Sequence, residues 1–188
     1  MKLDSDGLNT TELTSGPVYS PTCDPDGQFL FYISMKTPQR MVRLSLRNRD
    51  LVVLGDVPGS SIRGAMMISP DGRFLAFPYD AIGSSPRPSL GIISVDSGKL
   101  TRSFDVPMGI YRESCLRLSP DGKALHYLLT KGDVTNIWEQ PLSGGSAHQL
   151  TQFTSGKIFD FNWSTDGKTI LMSRGDLRGD VVLLRDSN

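Results

Sequence analysis

The chain has 188 residues, with 20 Lys and Arg against 20 Asp and Glu, and 38% of it is hydrophobic. This balance excludes a general electrostatic grip on nucleic acid or on an anionic membrane, and no apolar run approaches the roughly 20 residues of a membrane helix. Met1-Lys2-Leu3-Asp4-Ser5-Asp6 turns acidic too early for a secretion signal, so a targeting segment is expected upstream if the parent protein is exported.

The first elements read as the end of a strand at Met1-Lys2-Leu3, a turn at Asp4-Ser5-Asp6-Gly7 and a strand over 10–14. A phrase then recurs four times. It begins Asp24-Pro25-Asp26-Gly27, Ser69-Pro70-Asp71-Gly72, Ser119-Pro120-Asp121-Gly122 and Ser164-Thr165-Asp166-Gly167. Each copy is a turn with a mechanism: Pro presets φ, Asp accepts local hydrogen bonds, and Gly takes the left-handed conformation that closes a hairpin. Apolar residues flank every turn. The runs that follow, such as Phe29 to Ile33 and Leu125 to Leu129, are nearly continuous, as in a strand buried on both faces.

A third strand is expected in each repeat at 41–46, 90–95, 136–142 and 181–184, and a fourth at 51–54, 100–104 and 147–151. No helix is expected. The Asp-Gly pairs lie 45, 50 and 45 residues apart. That period predicts an all-β propeller of four-stranded antiparallel blades. The repeats span 17–57, 58–107, 108–154 and 155–188 as one array, and 8–14 supplies a further last strand. Two readings follow: the early strand closes a four-bladed ring, or it ends a preceding blade and the chain is part of a larger propeller. The extra partial strand at the start favours the second. A homodimer is expected if the ring is incomplete.

Cys23 aligns with Ile68, Leu118 and Trp163 and is expected in the core; Cys115 lies on the opposite strand face, so a disulfide is not expected. His126 aligns with Phe31, Ala76 and Leu171 and is expected to be packed. There is no Gly-x-Ser-x-Gly elbow, Walker loop or dinucleotide fingerprint, so no catalytic, cofactor or metal residues are assigned. Binding candidates come from loops, which carry function on rigid scaffolds. The long connection 78–88 offers Tyr79, Asp80 and Arg87, and the interblade connections offer Arg63, Arg112 and Lys157. Gathered at one channel mouth, these would suit an anionic or carboxylate-bearing ligand such as a peptide end.

The repeated phrase, with Leu13-Thr14-Ser15-Gly16, Leu150-Thr151 and Trp138-Glu139-Gln140-Pro141-Leu142, resembles the TolB-type, WD-repeat-like β-propeller repeat. The closing segment from Met172 to Leu184 is similar to the last blade of propellers on bacterial membrane-anchored serine/threonine kinases and winged-helix regulators. The resemblance implies a non-enzymatic sensor or interaction module of a larger bacterial protein, with a protein or peptide partner, no cofactor and an extracytoplasmic or periplasmic setting. Prolyl-oligopeptidase-type peptidases carry similar repeats, so a substrate-gating propeller is the alternative; a structural assembly scaffold of TolB type is a third.

Overall fold

The computed structural model describes residues 2–3, 6–59, 61–62, 64–81, 88–105 and 115–176. Among these residues there is no helix, and the strands form successive antiparallel sheets. A short hairpin pairs β1 (Lys2–Leu3) with β2 (Thr10–Thr11). Blade 1 follows in the order β3 (Val18–Cys23), β4 (Phe29–Ser34), β5 (Arg40–Ser45), β6 (Leu51–Asp56). In blade 2 the innermost position is shared by β7 (Ser61–Ile62) and β8 (Met67–Ile68); beyond them lie β9 (Phe74–Asp80), β10 (Pro88–Ser94) and β11 (Leu100–Asp105). Blade 3 contains β12 (Arg117–Leu118), β13 (Ala124–Lys131), β14 (Val134–Pro141) and β15 (His148–Gln149). Blade 4 is described by its inner pair, β16 (Lys157–Trp163) and β17 (Ile170–Gly175). Its expected third strand at 181–184 lies outside the described residues. The strand expected over 10–14 is shorter, with only Thr10 and Thr11 paired, to Leu3 and Lys2.

The four hairpin turns share one construction, and its key is the first residue. The Ser69 hydroxyl donates to Asp71 Oδ1 at 2.6 Å and accepts from the backbone N–H groups of Arg73 and Phe74, each at 3.0 Å. Ser119 repeats this with Asp121, Lys123 and Ala124, and Ser164 bonds Asp166 and Thr169. In the first copy Asp24 replaces the serine, and its carboxylate accepts from Phe29 N–H at 2.7 Å. The serine hydrogen bond, helped by the N–H of the residue after the glycine, holds the Asp71 and Asp121 carboxyls below the usual carboxylate range; Asp166 is lowered in the same way. Gly27, Gly72, Gly122 and Gly167 all have φ between 67° and 71°, the left-handed region that the sequence requires of them.

Blade packing follows one parity rule, counted from the turn aspartate. The fourth, sixth and eighth residues after it face the preceding blade, and the third, fifth and seventh face the next. Leu75, Phe77 and Tyr79 thus share a core with Phe31 and Ile33 of blade 1. Leu125, Tyr127 and Leu129 share one with Ala76 and Ile92 of blade 2. Ile170 and Met172 pack with Leu128 and Ile137 of blade 3. Burial on both faces explains the continuous apolar runs of β4, β9 and β13. Cys23 is exposed, a correction to its expected core position. Its counterparts Ile68, Leu118 and Trp163 are half-buried, each against the preceding blade, and among the described residues no such blade stands beside Cys23.

Candidate functional site

The ladders carry three of the six expected binding residues, Tyr79, Asp80 and Lys157, to one rim. In blades 1 to 3 the second strand ends and the third begins at the same end of the sheet, and in blades 1, 2 and 4 the innermost strand begins there too. Asp80 is opposite both Ser61 and Pro88, Lys157 is opposite Gly175, and Arg40 is opposite both Ser34 and Asp56. The Ser-Pro-Asp-Gly turns occupy the other end. Tyr79, Asp80 and Lys157 therefore share the rim of interblade connections. Tyr79 and Asp80, expected in a loop, belong to β9 and are buried. The Tyr79 hydroxyl lies 2.8 Å from Ser103 Oγ, and its ring centroid is 5.7 Å from that of Phe77. Lys157 opens β16 and is half-buried. Arg63, Arg87 and Arg112 lie outside the described residues.

The structure adds cations that the sequence reading missed. Lys36 and Arg40 line a hollow of about 380 Å³ with Thr14, Ser15 and Thr37, and Arg40 pairs with Asp56 at 3.4 Å. In blade 3 the Lys131 ammonium stands 4.5 Å from the Trp138 ring centroid, and in blade 4 the Arg174 guanidinium stands 4.3 Å from that of Phe153. Lys36, Arg40, Lys131 and Arg174 are all exposed. An aromatic face beneath a cation fixes its position without neutralising it, so Lys131 and Arg174 remain available to a carboxylate. The signal in the sequence was their place, at the ends of second strands and starts of third strands. It is legible only once strand ends are known.

A second polar cluster lies inside the array. His126 is buried, with Nε2 2.7 Å from Glu139 Oε2, and Nδ1 accepts from the Trp163 indole at 3.1 Å. His148 Nε2 lies 3.5 Å from the other Glu139 oxygen. The cluster joins blades 3 and 4 and fits the packed role expected of His126. Among the described residues no group of three or more His, Cys, Asp or Glu could hold a metal ion.

Comparison with known proteins agrees with this architecture. No family model matches the chain. It is 30% identical over 143 residues to dipeptidyl-peptidase 5 of Porphyromonas gingivalis, a match covering 68% of this chain and 20% of that protein. The chain thus spans about a fifth of the curated relative it matches. TolB from Acinetobacter baumannii superposes with a TM-score of 0.68 at 24% identity, over 90% of this chain and 41% of that one. The acylaminoacyl peptidase of Pyrococcus horikoshii gives 0.61 at 15% identity, over 82% and 28%. With the parity of blade packing, these likenesses make the chain an array of TolB-like β-propeller blades.

Proposed function

We propose that this array is a recognition module of a larger bacterial protein, which binds a carboxylate-bearing protein segment or peptide at the interblade-connection rim and performs no chemistry itself. The observation that carries the reading is the set of exposed cations on that rim, two of them backed by aromatic rings. Electrostatic recognition of this kind weakens with salt. The resemblance to propellers of membrane-anchored kinases and winged-helix regulators makes a sensor, facing the periplasm or exterior, the leading form of this role.

A second reading has its own support. The identity to dipeptidyl-peptidase 5 and the shared fold of acylaminoacyl peptidase favour a propeller that gates substrate access to a hydrolase domain. The parent reading frame separates the two: a hydrolase domain after these blades makes the gate, and a kinase or winged-helix domain before them makes the sensor. An assembly scaffold of TolB type would bind a protein partner and no peptide.

The test of rim recognition is fluorescence anisotropy of labelled hexaglutamate titrated with the chain. Binding is expected, weaker in high salt and weaker in a Lys131→Ala, Lys157→Ala, Arg174→Ala variant. Equal affinity in the variant would overturn the rim assignment, and hydrolysis of dipeptidyl anilides by the isolated chain would overturn the non-catalytic one.

A further inference from the structure

A groove between blades 2 and 3 carries charges of both signs over an apolar floor. It holds about 310 Å³, near the lower end of the range for small-ligand sites, about 300–1,000 Å³. Phe74 and Ile92 of blade 2 and Leu142 of blade 3 form the floor, and all three belong to one packed cluster. The ladders set this arrangement. Phe74 is opposite Ser94, and Ile92 is opposite both Ala76 and Arg102, so these side chains share the face that blade 2 turns to blade 3.

A bulge brings the outer strand into the groove. Ile92 is opposite Arg102 but Ile93 is opposite Leu100, which leaves Thr101 as an extra residue in β11. Bulges re-aim side chains, and here two successive residues, Thr101 and Arg102, line the groove. The Thr101 hydroxyl is fixed by a 3.0 Å hydrogen bond to the Ile92 carbonyl. Arg102 reaches the β14–β15 turn of blade 3, where a Cβ on Gly144 would lie 3.7 Å from its Nη1.

Two turns deliver the other charges. The blade 2 Ser-Pro-Asp-Gly turn supplies Asp71 and Arg73, and the β10–β11 turn supplies Asp96. Asp71 Oδ1 is committed to the Ser69 hydroxyl and the Arg73 N–H. Among the described residues, the side chains of Arg102 and Asp96 make neither a hydrogen bond nor an ion pair, and both are exposed. Two arginines and two aspartates leave the groove without net charge. A simple anion or cation gains one attraction there and meets a like charge beside it, whereas a molecule bearing both charges meets a partner for each.

We infer that this groove binds a small zwitterion with an apolar body, of the class of an apolar amino acid or dipeptide. The ligand carboxylate bonds the Arg102 guanidinium, whose planar fork suits it. The ligand ammonium bonds the Asp96 carboxylate, and the ligand side chain lies on Phe74, Ile92 and Leu142. The groove opens at the rim of the Ser-Pro-Asp-Gly turns, away from the cations of the interblade-connection rim, so this site stands apart from the recognition proposed above.

Isothermal titration calorimetry of the chain with leucine and with leucyl-leucine tests this. Binding is expected, and the tighter of the two separates an amino-acid site from a dipeptide site. N-acetylation of that ligand removes its ammonium and amidation removes its carboxylate; each is expected to weaken binding about tenfold, the loss of one charge-assisted hydrogen bond. Arg102→Gln is expected to weaken the zwitterion and to abolish its advantage over the amide. Asp96→Asn is expected to abolish its advantage over the acetylated form. Both side chains are exposed, so circular dichroism should be unchanged. The Lys131→Ala, Lys157→Ala, Arg174→Ala variant, altered on the other rim, should bind the zwitterion as the wild type does. No binding of either zwitterion, equal affinity for the blocked forms, an Arg102→Gln variant that still discriminates against the amide, or loss of binding in the triple variant would each overturn the inference.

Discussion

The indole N–H of Trp163 donates a 3.1 Å hydrogen bond to Nδ1 of His126 across the boundary between blades 3 and 4. The acceptor role of Nδ1 leaves Nε2 to carry the proton toward Glu139 Oε2, 2.7 Å away. The rings also contact, with centroids 5.3 Å apart. This joint does with polar groups what Phe31 and Ile33 do by apolar packing between blades 1 and 2.

Removing its donor should be costly. Trp163→Phe keeps an aromatic ring but removes the indole N–H and leaves a buried imidazole nitrogen without its partner, a loss of about 1–3 kcal/mol. The pair is coupled, so His126→Leu with Trp163→Phe should cost less than the sum of the single changes. Urea denaturation of the four proteins in the cycle measures this; additive losses would show that the two residues do not act together.

The turn glycines share one backbone conformation but differ in what surrounds them. A Cβ on Gly72 would meet nothing within 4 Å, whereas one on Gly167 would lie 2.6 Å from Pro120 Cβ of the preceding blade's turn. Gly72→Ala should cost about 1–2 kcal/mol, the strain of a left-handed residue with a side chain. Gly167→Ala should cost about 1–3 kcal/mol more, because it overpacks the turn-to-turn contact. Denaturation midpoints of the two variants give the difference.

The Ser-Asp hydrogen bond sets an acid dependence with a definite sign. Asp71 has a folded pKa below its ordinary 3.8, chiefly through Ser69. A depressed carboxylate contributes stability above the unfolded value, and that contribution is lost as pH falls through the folded one. Carbon-detected NMR titration should place the Asp71 midpoint below 3.8, and Ser69→Ala should raise it. The same variant strips the Phe74 N–H of its acceptor and leaves the Arg73 N–H with Asp71 Oδ1 alone, so a stability loss of about 1–3 kcal/mol is expected at neutral pH.

The repeat made the blades legible because its turn chemistry is local. Pro, Asp and Gly state their conformations within four residues, and the apolar runs state burial on both faces. The serine as the centre of the turn was harder to see, since Asp24 stands in its place in the first copy. Tyr79 read as a loop residue because Pro78 and the glycine, serine and proline residues after it look like turn punctuation; in the structure β9 continues through Asp80 and buries the ring beside Phe77. Lys131 and Arg174 were invisible as rim groups, because the aromatic faces beneath them come from Trp138 and Phe153, seven and twenty-one residues away in sequence.

Recognition at the interblade-connection rim is most directly tested by chemical-shift mapping of the isotope-labelled chain titrated with hexaglutamate. The account predicts shifts at Lys36, Arg40, Lys131, Lys157 and Arg174, and none at the Ser-Pro-Asp-Gly turns of the opposite rim. Shifts confined to those turns, or spread evenly over both rims, would contradict it.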